Sequence, residues 1–185
     1  MEITNLSGHT IKHRPFDLRA CMKAVGGQPI SERTDANIDY FFGRELERWS
    51  EFREAPMLKR LPTHHGNSIT PSNTMLIAGL VKGINIDNLA HEMMMQHWAY
   101  DCDLADTDTL AKIALSVDID PQPLLELSNS KEVLKIYADN TKEAIEKSVF
   151  GSPTYFVDGD MFYGQDRLEL VERALLKPFN NRIAK

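Results

Sequence analysis

Residues 153–164 constrain the fold more than any other stretch. Pro153-Thr-Tyr-Phe-Val-Asp158 is rich in β-forming side chains, Asp158-Gly159 is a two-residue hairpin signal, and Met161-Phe-Tyr-Gly164 returns as a second strand. Gln165 to Lys177 follows as an amphipathic helix with Leu168, Val171, Leu175 and Leu176 inward. An isolated hairpin is marginal in water, so this unit must be covered by other elements.

The preceding chain has a helical rhythm. Thr10 to Phe16 alternates as a short strand that Pro15 ends or confines to an edge, and Gly26-Gly27-Gln-Pro29 reads as a loop. From Ser31, an expected N-cap, Ile38, Phe41, Phe42, Leu46, Trp49 and Phe52 recur at spacings of three and four, until Pro56 and Pro62. His64 to Pro71 is a polar loop. Helices are then expected over Asn73–Lys82, Asp87–Tyr100, a segment capped by Asp106 or Thr107, a short one opened by Asp120-Pro121, and one capped by Ser130 with Val133, Ile136, Tyr137, Ala144 and Ile145 inward. The order strand, helical block, hairpin, helix reads as half of a thioredoxin-like α/β unit carrying a helical insertion.

The 185 residues suffice for one self-supporting domain. Asp and Glu number 27 against 21 Lys and Arg, and no basic stripe is visible, so nucleic acid is not an expected partner. The longest apolar stretch, Thr74 to Val81, is far below the ~20 residues of a membrane span, so no membrane is expected either. The first residues, Met-Glu-Ile-Thr-Asn-Leu-Ser-Gly, carry no secretory pattern, and Cys21 and Cys102 form no pair motif; both suit a reducing cytoplasm. The cysteines read as small buried hydrophobes, and His64-His65 as surface residues. His9 and His13 share a face if extended but lack further ligands, the acidic run Asp101 to Asp108 reads as capping, and no metal site is expected.

From Phe150 the segment Phe-Gly-Ser-Pro-Thr-Tyr-Phe-Val-Asp-Gly-Asp-Met-Phe-Tyr-Gly-Gln-Asp-Arg-Leu resembles the C-terminal signature of the 2-hydroxychromene-2-carboxylate isomerases, which sit with kappa-class glutathione transferases in the thioredoxin-like DsbA superfamily. Arg44-Glu-Leu-Glu-Arg-Trp49, Trp98 with Asp103-Leu-Ala-Asp106, and Asn140-Thr-Lys-Glu-Ala144 follow the same likeness in order, so it spans about Ile11 to Leu176. The resemblance implies a DsbA-type fold in which 1–30 and 149–185 form the thioredoxin-like part and 31–148 the helical insertion. It implies a cis proline at Pro153, with the backbone at Ser152 bonded to the cysteinyl unit of glutathione. Asp166 is placed on the ammonium of the γ-glutamyl group, with Gln165 and Arg167 beside it. Simple physics accommodates those roles: exposed amides at a helix start favour a carboxylate, and Asp166 with Arg167 can hold a zwitterion. Asp166 is equally a plausible helix cap, and Pro153 a plain strand-shaping residue.

The sequence also departs from the family pattern. The first strand and helix, and the Ser-Pro motif whose serine favours the thiolate, have no counterpart here, so the catalytic group is unassigned. The expected explanation is a start at an internal methionine; a sheet rearranged or completed by another subunit, and a degenerate paralogue, are the alternatives. Gly26-Gly27 stands where family members carry Gly-Asn, and Asn37 near a family lysine, with Arg33 a candidate substitute. The implied activity is a glutathione-dependent cis-trans isomerisation by reversible thiolate addition to a small aromatic or electrophilic substrate. The alternatives are a kappa-type transferase and a non-catalytic binding protein of thioredoxin fold. Trp49, Trp98 and Tyr163 are candidates to line the substrate, with a core role expected first, and the family likeness implies a homodimer.

Overall fold

The computed structural model describes residues 8–28 and 30–180; Ser7, Pro29 and the side chain of Ser31 lie outside that description. Nine α-helices, among the described residues, are α1 (Leu18–Ala24), α2 (Asp35–Asp39), α3 (Glu45–Arg53), α4 (Thr70–Val81), α5 (Asp87–Tyr100), α6 (Thr107–Ser116), α7 (Gln122–Ser128), α8 (Lys131–Glu146) and α9 (Leu168–Leu176). A π-helical turn, Tyr40–Arg44, joins α2 to α3. The strands β1 (Thr154–Val157) and β2 (Asp160–Tyr163) form one antiparallel hairpin.

Helix α4 is the centre of the molecule. Its sequence is apolar nearly all round, and Thr74, Met75, Ile77, Ala78 and Gly79 are all buried, as expected for a helix covered on every side. It packs against α7, α8 and α5, and the shared core takes in Leu89, Met93, Leu110, Leu124, Val133 and Tyr137. Each fully buried aliphatic side chain of this kind contributes about 1.5–3 kcal/mol. Gly79 has a steric reason: a Cβ there would lie 2.6 Å from Ile86 Cγ2. Helix α4 starts at Thr70, earlier than the expected Asn73, because Pro71 is preorganised for a first helical turn. Asp106 and Ser130 cap α6 and α8 as their side chains allow, accepting bonds from Thr109 and Val133 amides.

In the first fifty residues one expected strand is absent and one expected helix starts later. The segment 9–17 forms no strand. Its backbone bonds go to helix side chains instead: Asn140 Nδ2 donates to the Pro15 carbonyl (2.9 Å), Asn73 Nδ2 to that of Phe16 (3.1 Å), and the Asp17 amide to Thr141 Oγ1 (3.0 Å). The helix expected from Ser31 is capped at Thr34, whose hydroxyl accepts from the Asn37 amide, after a 3₁₀ turn at Ile30–Glu32. None of α2, the π-turn or α3 contains a buried residue, and Phe52 is 73% exposed. The apolar stripe is real, but among the described residues no other element buries it.

The hairpin has its own small core. Phe162, Val171 and Ala174 are buried together, with Tyr155, Val157 and Leu175 packed against them, so α9 lies on one face of the hairpin. Leu176, expected inward, is 74% exposed because the helix ends there. A third cluster, Cys21, Ala144 and Val149 with Phe16 and Met161, ties α1 and α8 to β2.

Candidate functional site

The hairpin brings the two halves of the expected site together. Thr154 pairs with Tyr163 and Val157 with Asp160, and the Gly164 amide donates to the Pro153 carbonyl at 3.0 Å. Hydrogen-bonded pairs alternate in an antiparallel ladder, so the amides and carbonyls of Thr154 and Phe156 face away from β2. The same pairing puts Ser152 and Pro153 next to the 3₁₀ turn Gln165–Arg167 that opens α9. The Ser152–Pro153 peptide bond is cis, and both residues are exposed.

Gly164 makes this corner possible. Its φ of 106° is a conformation that side chains resist, and Asp166 folds its carboxylate back over the glycine, into the space a Cβ would take. The Asp166 carboxylate then pairs with the Arg167 guanidinium. No side chain caps the 3₁₀ turn or α9, so Asp166 is not a helix cap here, and the positive end of α9 faces outward beside an exposed acid–base pair. Gln165 is half-buried in the same turn.

The other candidates lie elsewhere. Trp49 is partly buried in the uncovered α3, under the Arg53 guanidinium at 5.5 Å. Trp98 is partly buried against His65, with ring centroids 5.0 Å apart. Tyr163 alone stands at the hairpin corner, and it is exposed, so none of the three is a core residue. Arg33 lies over the rings of Phe41 and Phe42, and Gly27 closes α1 through a 2.7 Å bond to the Met22 carbonyl. A cleft of about 780 Å³ opens at the turn end of the hairpin, lined by Phe156, Asp158, Asp160 and Phe179 among others, and includes none of the five expected site residues.

One polar cluster escaped the sequence reading. His65, expected on the surface, is half-buried: its Nδ1 lies 3.0 Å from His97 Nε2, and His97 Nδ1 lies 3.0 Å from the Cys102 carbonyl. The partners are 32 residues apart, and no local pattern announces them. His13 pairs with Asp87 at 2.6 Å. Burial pushes both the Cys21 and Cys102 thiols up, with Asp17 and Asp101 adding to it, so neither is an activated thiolate. Among the described residues no three His, Cys, Asp or Glu side chains gather closely enough to hold a metal ion, and no helix is long and apolar enough to cross a membrane.

A hairpin, a cis-proline corner and a closing helix against a helical block define a thioredoxin-like α/β protein. A family model for the DsbA-like thioredoxin domain matches residues 2–176, and the chain belongs to that family. It is 26% identical over 175 residues to a 2-hydroxychromene-2-carboxylate isomerase of Sphingobium xenophagum, covering 95% of this chain and 87% of that protein. A glutathione S-transferase kappa 1 of Caenorhabditis elegans is 23% identical over 190 residues, covering 95% and 81%. A solved 2-hydroxychromene-2-carboxylate isomerase superposes with a TM-score of 0.75 at 23% identity, over 95% of this chain and 84% of that one, which shows the shared fold.

Proposed function

We propose that this chain is a glutathione-dependent isomerase acting on a small aromatic or electrophilic substrate, in the manner of the 2-hydroxychromene-2-carboxylate isomerases it is similar to. The observation that carries the reading is the pairing of the exposed Ser152–Pro153 corner with Gln165–Arg167 through the Pro153–Gly164 bond. The donor set suits glutathione. An exposed Asp166 and Arg167 beside uncapped helix amides match a γ-glutamyl group, which carries one ammonium and one carboxylate. Ser152 offers a main-chain group to a peptide ligand, as an added strand would use.

Bound glutathione supplies a thiolate able to add reversibly to a conjugated carbon, which frees a double bond to rotate. The chain's own part is to hold the tripeptide: Asp166 takes the ammonium, Arg167 and the α9 amides steady carboxylates, and Ser152 fixes the peptide backbone. The group that lowers the thiol's pKa has no assignment. A homodimer in the cytoplasm belongs to the same reading.

Calorimetric titration with glutathione tests it, with Asp166→Ala in parallel. The expected result is wild-type binding that weakens tenfold or more in the variant, equivalent to about 1.4 kcal/mol. A folded wild type that gives no heat at millimolar glutathione overturns the reading in favour of a non-catalytic binding protein. The kappa-type relative favours a second reading, a transferase. Conjugation of glutathione to a chloronitrobenzene, without isomerisation of a cis-enone acid, would select it.

A further inference from the structure

Tyr163 stands at the hairpin corner, one strand across from the Ser152–Pro153 bond. It is the last residue of β2, opposite Thr154, and its ring lies against the backbone of Gly151, where a methyl group would overlap the ring carbons. Gly151 is buried although both its neighbours, Phe150 and Ser152, are exposed. Phe150 meets the Tyr163 ring edge-on, with centroids 4.9 Å apart, so the tyrosine is held from one side while it bears on the glycine. The Thr154 hydroxyl donates to the Gly151 carbonyl at 2.8 Å and fixes the same residue from β1. Gly151 is thus gripped by an aromatic ring and a hydrogen bond one residue before Ser152.

We propose that Tyr163 is a positioning residue. Its ring presses on Gly151 and so sets where the Ser152 main chain is presented to a peptide ligand. This rests on the reading of the Ser152–Pro153 corner as a glutathione site. Position 151 must be glycine for the ring to reach the backbone, and position 163 must be a flat ring of six carbons. The hydroxyl is dispensable, since the ring carbons lie nearer than the hydroxyl to where a Gly151 Cβ would stand.

The test compares Tyr163→Leu, Tyr163→Phe and Gly151→Ala with wild type by two readouts. The first is glutathione affinity by calorimetry, alongside the urea midpoint. Expected is a tenfold or greater loss in Tyr163→Leu and Gly151→Ala, with Tyr163→Phe within twofold of wild type. The second readout needs no ligand: the amide resonances of Gly151 and Ser152 shift in the leucine variant and stay in place in the phenylalanine variant. Folded variants with wild-type affinity and unmoved resonances overturn the proposal. If wild type binds no glutathione, the functional reading fails, and the resonances alone decide whether Tyr163 positions the corner. A variant that loses affinity only in proportion to its urea midpoint, with no rescue by Phe, also overturns it.

Discussion

With both rings neutral, His65 donates from Nδ1 to Nε2 of His97, because His97 uses its own Nδ1 proton on the Cys102 carbonyl. The direction of the chain follows from that terminal carbonyl, which can only accept. Burial lowers the pKa of His65, and the neighbouring His97 and Arg19 lower it further. The unfolded histidine titrates near 6.5. A depressed folded value means that the unfolded chain binds more protons in that window, so stability is complete above about pH 6.5 and falls as pH drops through the folded value. Urea unfolding between pH 7 and 5 should show this decline, and His65→Phe should flatten it. An equal slope in both proteins contradicts the assignment.

Asp101 clamps the segment that precedes α4. In the left-handed conformation at the end of α5, it accepts from Arg60 Nη2 (2.5 Å), the Thr63 amide (2.6 Å) and the Thr63 hydroxyl (2.8 Å). The Arg60 bond first, then those from Thr63, hold its carboxyl well below the usual carboxylate range. Its contribution is therefore present above about pH 4 and lost only as pH falls through the lowered value. Asparagine tolerates the same backbone conformation, so Asp101→Asn removes the charge with little strain. Hydrogen exchange of the Thr63 amide should accelerate in that variant while the α4 amides keep their protection.

Tyr137 carries a buried hydroxyl with no hydrogen-bond partner among the described residues. An unmet buried hydroxyl costs about 1–3 kcal/mol. Tyr137→Phe should consequently leave stability unchanged or raise it by about 1 kcal/mol in a denaturant titration. A loss above that size would show that the hydroxyl is bonded.

Phe52 and Leu124 are both apolar, yet one is 73% and the other 1% exposed. Leu124→Ala should cost about 2–5 kcal/mol, as a cavity in a packed core does. Phe52→Ser should stay within about 0.5 kcal/mol of wild type, as for a surface change. Parallel thermal melts compare them, and a large effect at Phe52 would mean that α3 is covered in solution.

The periodicities explain what the sequence revealed. The switch from helical spacing to alternation at Pro153, with Asp158-Gly159 between the strands, located the hairpin, and Ser130 and Asp106 marked helix starts because their side chains cap. Resemblance, rather than spacing, pointed to Ser152, Pro153, Gln165, Asp166 and Arg167 as one group. The hairpin pairing now brings their backbone together. Thr10–Phe16 misled because alternation is local while a strand requires a partner. Ile38–Phe52 announced a helix but could not say whether its stripe would be covered, and His65 met His97 only through tertiary packing.

The hairpin cluster of Phe162, Val171 and Ala174 shares no buried residue with the large helical core around Met75 and Leu110. Small units with few apolar contacts open at lower free energy than the whole. The corner at Pro153 therefore belongs to a part of the molecule that opens at lower free energy than the helical core around α4. A ligand seated there raises the melting point of that part alone, by an amount set by its concentration relative to its dissociation constant. Occupancy and the order of melting are two faces of one equilibrium.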